Sequence, residues 1–139
     1  MKAKYDLETL QLMTLFEKIT RSKLKDCFTN KDKLFFVVQH GELKKALGPK
    51  KENVQKLVKA TNRNIKIVEF NPDVLEFTKN LMYPLKMEDI SMVEDGVIVI
   101  KGTDTKTKGL MIGARAQNLR GYEAMVQKYF DNIKEIKVV

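Results

Sequence analysis

The sequence predicts an α+β fold of two tandem αββααβ units, each a three-stranded sheet packed against helices, and three observations carry that expectation. The first is a segment that occurs twice. Ala46-Leu47-Gly48-Pro49-Lys50-Lys51-Glu52-Asn53-Val54 is echoed by Met111-Ile112-Gly113-Ala114-Arg115-Ala116-Gln117-Asn118-Leu119, with the two glycines 65 residues apart in a chain of 139. The same offset aligns Leu10, Leu12 and Phe16 with Leu75, Phe77 and Leu81, so the likeness extends beyond the segment itself. The third is that stretches of helical and strand periodicity follow each other in the same order in both halves. A duplication of one unit follows, with expected domains 1–70 and 71–139.

Asp6 to Arg21 carries Leu7, Leu10, Leu12, Met13, Leu15, Phe16 and Ile19 in a broad apolar stripe, and Asp6 is suited to cap the helix they predict. Lys25 to Thr29 and Leu34 to Gln39 read as strands joined at the turn formers Asn30-Lys31-Asp32, a hairpin. Glu42 to Leu47 suits a short helix that Gly48 breaks, and a second helix is expected from Lys51 to Thr61 with Val54, Leu57 and Val58 inward. Ile65 to Phe70 closes the unit as a strand.

The second half repeats the order. Asn71-Pro72-Asp73 breaks the chain and starts a helix whose face is Val74, Phe77 and Leu81, and Tyr83-Pro84 ends it. Met87 to Val93 and Val97 to Lys101 flank an Asp95-Gly96 turn, a second hairpin. Asp104 can cap a short helix ending before Gly113. A long helix is then expected from Arg115 to Phe130, with Leu119, Tyr122, Val126, Tyr129 and Phe130 on one face, before a strand from Ile133 to Val138.

Composition narrows the function. With 43% hydrophobic and 32% charged residues, the chain is expected to fold throughout. No apolar run reaches membrane-spanning length, and Met1-Lys2-Ala3-Lys4-Tyr5-Asp6 lacks the apolar core of a signal peptide, so a cytoplasmic protein without a membrane partner is expected. A single cysteine, Cys27, precludes an internal disulfide or a cysteine-rich zinc site, and reads as a buried or edge-strand thiol. The single histidine, His40, reads as a turn or surface residue with no partner for a metal. Glu88-Asp89 and Glu94-Asp95 fall at strand ends and turns without histidine, cysteine or a phosphate loop beside them. No catalytic residue, metal ligand or cofactor is expected, and the chain is read as a monomer and not an enzyme.

The net charge is +8, which favours an anionic partner. Its placement is more telling. Lys44, Lys45, Lys50, Lys51, Lys56, Lys59, Arg63 and Lys66 surround the first glycine segment with Glu52 as the only acid between positions 44 and 66. Lys101, Lys106, Lys108, Arg115 and Arg120 surround the second with Asp104 as the only acid there. A glycine turn feeding a helix N-terminus offers unpaired N–H groups and a positive dipole end to phosphate.

A helix–helix junction on a glycine-containing basic loop, within an αββααβ order, resembles the type II KH domain, whose GXXG loop clamps the backbone of about four nucleotides. Two such units across the whole chain are similar to the archaeal NusA-like transcription factors. The resemblance implies a single-stranded RNA-binding factor acting in transcription elongation, termination or antitermination, with RNA polymerase as a further partner. The alternative is a degenerate KH pair serving as a protein-interaction module on RNA polymerase or the ribosome. The candidate RNA contacts are Gly48, Pro49, Lys50, Lys51, Asn53 and Val54 in the first copy, and Gly113, Ala114, Arg115, Ala116, Asn118 and Leu119 in the second. Val54 and Leu119 are candidate groove walls.

Both loops depart from GXXG at the fourth position, which is Lys51 in one and Ala116 in the other. Alanine is expected to be the milder change, because it favours helical dihedrals at a helix start, so the second loop is expected to be the better clamp. Phe35, Phe36 and Tyr122 are expected in the core rather than as stacking platforms for bases.

Overall fold

The computed structural model describes residues 4–139, which divide into two compact units, one ending at Asn71 and the other running from Pro72 to Val139. In the first, α1 (Leu7–Thr20) leads into β1 (Leu24–Asn30), β2 (Lys33–Val38), α2 (Leu43–Leu47), α3 (Glu52–Thr61) and β3 (Asn64–Glu69). The second repeats this as α4 (Val74–Met82), β4 (Met87–Glu94), β5 (Val97–Gly102), α5 (Thr105–Ile112), α6 (Gln117–Gln127) and β6 (Glu135–Val138). Each sheet has its second strand in the middle, antiparallel to the first and parallel to the third. A parallel neighbour requires a crossover, and in both units the helix pair that carries the glycine segment supplies it. These are two tandem KH-like units.

Three helices begin where an aspartate caps them. The Asp6 carboxylate accepts the Thr9 N–H at 2.7 Å, Asp73 accepts that of Leu75 at 2.9 Å, and Asp104 accepts that of Thr107 at 2.7 Å. The backbone bond from Thr107 holds the Asp104 carboxyl below the usual carboxylate range, and that from Thr9 does the same for Asp6. Helix α1 closes at Arg21 in the left-handed region, its N–H returning to the Glu17 carbonyl.

The first core gathers Phe16, Cys27, Leu34, Phe36, Val38, Ala46 and Leu57, with the Phe16 and Phe36 rings stacked at 4.4 Å. Phe77, Leu81, Ile98, Ile100, Met111, Val126 and Ile136 are the buried counterparts in the second unit. The central strand β2 shows no alternation: Leu34 to Val38 are all buried, as a continuous apolar run allows for a strand covered on both faces. Phe35 and Phe36 are thus core residues, and Tyr122 is half-buried, its hydroxyl pKa raised by desolvation.

Several expected boundaries move. The last helix starts at Gln117 rather than Arg115 and stops at Gln127, leaving Tyr129 and Phe130 to meet Phe77 from the following turn. Val58 is 39% exposed rather than inward, because Leu57 takes the buried position one residue earlier. Among the described residues no helix is long and apolar enough to cross a membrane, and no group of three or more His, Cys, Asp or Glu is placed to hold a metal ion.

Candidate nucleic-acid interface

Each glycine segment forms the same junction. Gly48 has φ 74° and ψ 177°, and Gly113 has φ 74° and ψ 174°, a combination that belongs to glycine alone. The two glycines close the preceding helix through their N–H groups, Gly48 to the Lys44 carbonyl at 3.1 Å and Gly113 to that of Gly109 at 2.8 Å. Two left-handed residues follow at the third and fourth loop positions. They are Lys50 (φ 54°) and Lys51 (φ 57°) in one loop, and Arg115 (φ 55°) and Ala116 (φ 59°) in the other.

A conserved spacing within the chain explains why the junctions match. Five residues after each glycine stands an asparagine, Asn53 or Asn118, whose side-chain amide reaches back across the turn. Asn53 Nδ2 donates to the Ala46 carbonyl at 3.0 Å, and Asn118 Nδ2 to that of Leu110 at 2.9 Å. A Cβ on Gly48 would lie 2.7 Å from Asn53 Nδ2, and one on Gly113 would lie 2.6 Å from Asn118 Cγ. The asparagine fills the space that the glycine leaves open. Both amides brace the loop from within, Asn53 from a buried position and Asn118 from a partly buried one.

The fourth position corrects one expectation. Ala116 does not begin the helix in helical dihedrals but sits at φ 59° and ψ 23° as its N-cap, the same conformation as Lys51 at φ 57° and ψ 28°. A side chain there costs about 1–2 kcal/mol relative to the right-handed form, which is why glycine suits this position. Ala116→Gly should therefore stabilise the chain by about 0.5–1 kcal/mol, after allowing for the extra freedom glycine gives the unfolded state. Urea denaturation checks this, with an unchanged or lower midpoint as the contrary result.

The helices that follow these junctions start differently from the aspartate-capped ones, a trait they share with short α2, where Glu42 makes no cap bond. Whereas α1, α4 and α5 begin at an aspartate cap, α3 and α6 have Lys51 and Ala116 at that place and no side-chain cap bond. Two helix N-termini of 10 and 11 residues thus open without a side-chain acceptor, immediately after the basic loops. Val54 is half-buried one residue beyond Asn53, and Leu119 is buried at 8% exposure in the matching place.

No family model matches the chain. A probable transcription termination protein NusA from Thermoplasma acidophilum is 28% identical over 135 residues, spanning 96% of this chain and 93% of that one. Its counterpart from Methanococcus vannielii is 27% identical over 141 residues, spanning 100% of this chain and 81% of that one. The crystal structure of APE1850 superposes with a TM-score of 0.74 at 27% identity, covering 97% of this chain and all of that one. Along nearly its whole length the chain is similar to archaeal proteins named NusA.

The two junctions of the chain share a backbone but not a charge. Lys44, Lys45, Lys50 and Lys51 are exposed, and none of the four is ion-paired with a described residue. Around the second junction, Arg120 is held by Glu123 at 2.9 Å, and Lys101 by Glu88 at 3.3 Å. Glu123 is buried and also accepts the Ile136 N–H at 2.8 Å, so Arg120 is tied to the fold of its own unit. Arg115 stays exposed at the tip of that loop, with Lys106 and Lys108 on α5.

A groove of about 620 Å³ adjoins the first loop, lined by Gly41, Glu42, Lys44, Lys45, Gly48 and Pro49. The second unit has a groove of about 610 Å³ elsewhere, at the far end of α6, where Asp95 and Asp131 face only Lys134. Its lining is net acidic, whereas that beside the first loop is net basic.

Proposed function

We propose that this chain is a transcription factor of the NusA type that binds single-stranded RNA through its two KH-like loops during elongation, termination or antitermination, in association with RNA polymerase. The names of its relatives support the transcriptional role. The observation that carries the RNA reading is the pairing, in each unit, of a glycine turn with a cation at its tip and a helix N-terminus that no side chain caps. The backbone N–H groups and dipole of such a terminus favour an anion, and the lysines and Arg115 add charge where the phosphates would pass.

The role is binding rather than catalysis. Cys27 is buried in the first core, and burial first, then the neighbouring Asp26, pushes its thiol up to about 12, far from a reactive thiolate. His40 is exposed in a turn.

Titration of labelled single-stranded RNA at several salt concentrations tests the proposal. About four phosphates engaged gives a log–log slope near −0.7 × 4, or about −3, with weaker binding to duplex RNA because a KH groove needs unstacked bases. A flat salt response or equal affinity for duplex would instead support a protein-interaction module.

A further inference from the structure

Aligning the two halves of the sequence at the 65-residue offset exposes an asymmetry that neither half shows alone. Lys44, Lys45, Lys51, Lys56 and Lys59 correspond to Gly109, Leu110, Ala116, Gly121 and Ala124, whereas Lys50 meets Arg115 and Arg63 meets Lys128. The junction backbones match, so the two loops differ in the side chains they carry and not in the turn itself. We propose that the first unit is the phosphate anchor of the pair, and that Lys44 and Lys45 on α2 form a phosphate-binding station beside the Gly48–Lys51 loop which the second unit lacks. The proposal rests on the RNA-binding reading and adds to it which unit holds the backbone, and where.

The groove makes the case specific. Lys44 and Lys45 do not stand on an isolated helix surface. They line the same groove as Gly48 and Pro49, so a strand clamped at the loop continues directly past their ammonium groups. Glu42 is the one carboxylate in that lining, and its Oε1 is engaged by the Lys23 N–H at 2.7 Å. Farther along α3, Lys56 is shared with Glu52 at 3.5 Å and Lys59 lies in the last turn, so the unpaired lysines of the loop and its groove are Lys44, Lys45, Lys50 and Lys51. Four such cations match the four nucleotides that a KH loop spans. In the second unit the place of Lys45 is taken by Leu110, 50% exposed, which has nothing to offer a phosphate.

The test uses the full chain and a labelled single-stranded oligonucleotide such as oligo-uridylate, titrated over a salt series. Lys44→Gln with Lys45→Gln should weaken binding about tenfold at low salt and make the log–log slope shallower by about 1.4, the contribution of two phosphates at 0.7 each. A control pair in the second unit, Lys106→Gln with Lys108→Gln in the first turn of α5, should change affinity less than about twofold. Equal losses from both pairs, or an unchanged slope for the first pair while the parent binds, would overturn the proposal and leave RNA binding itself standing. A parent chain that binds no single-stranded RNA removes both. Circular dichroism of each variant checks that the fold is kept, which matters most for Lys108, half-buried against Gly102.

Discussion

Gly113→Ala lowers the stability of the chain by about 2–4 kcal/mol, and Gly48→Ala does the same in the first unit. The backbone at φ 74°, ψ 174° lies in a region that costs an L-residue on the order of 1–3 kcal/mol. The new Cβ would also sit 2.6 Å from Asn118 Cγ, forcing the amide off the Leu110 carbonyl and forfeiting a hydrogen bond of about 1 kcal/mol. Set against a total of about 5–15 kcal/mol for a folded domain, this is a large fraction. At a urea dependence of about 1–3 kcal/mol per molar, the midpoint should fall by roughly 1–2 M. A variant with the parent's midpoint would show that neither the dihedral nor the asparagine contact constrains the loop.

Lys50→Asp with Lys51→Asp reduces single-stranded RNA affinity at least about tenfold, or roughly 1.4 kcal/mol, because two attractive contacts become two repulsive ones. The fold survives the change. Both side chains are exposed, and aspartate accepts the left-handed dihedrals at φ 54° and 57° better than most residues. The corresponding change in the second loop, Ala114→Asp with Arg115→Asp, should cost less, since only one cation is removed. This reverses the order expected from the sequence. That order rested on alanine being the milder replacement for glycine, and the matched dihedrals of Lys51 and Ala116 remove the basis for it. Filter binding with circular dichroism as the fold control checks both pairs, and parent-like binding by the first pair would contradict the clamp.

Much of this architecture was legible because its signals are local. Asp6, Asp73 and Asp104 each precede an apolar-periodic stretch and each became a helix cap through its own carboxylate. The hairpins follow from turn formers between apolar runs, and the two glycines mark dihedrals that no other residue adopts readily. What escaped depends on contacts across the turn. Arg115 and Ala116 have good helix propensity, so the pattern extends the helix over them, yet the closed end of α5 and the Asn118 brace hold both in the left-handed region. The spacing of glycine to asparagine, the same in both copies, was the visible sign of that brace. Asn53 and Asn118 were read only as RNA contacts, because nothing in one copy shows that the amide turns back on its own helix pair. The uneven lysine count of the two loops is visible in the aligned halves, but the ion pairs that hold Arg120 and Lys101 form only in the folded unit.

The most direct test of the central claim is a map of backbone amide shifts on adding single-stranded RNA to the isotopically labelled chain. The account predicts the largest changes at residues 48–54 and 113–119, extending to Lys44 and Lys45, with the acidic strand β4 unmoved. Shifts concentrated on β4 or on the outer faces of α1 and α4, with the two glycine junctions silent, would contradict it.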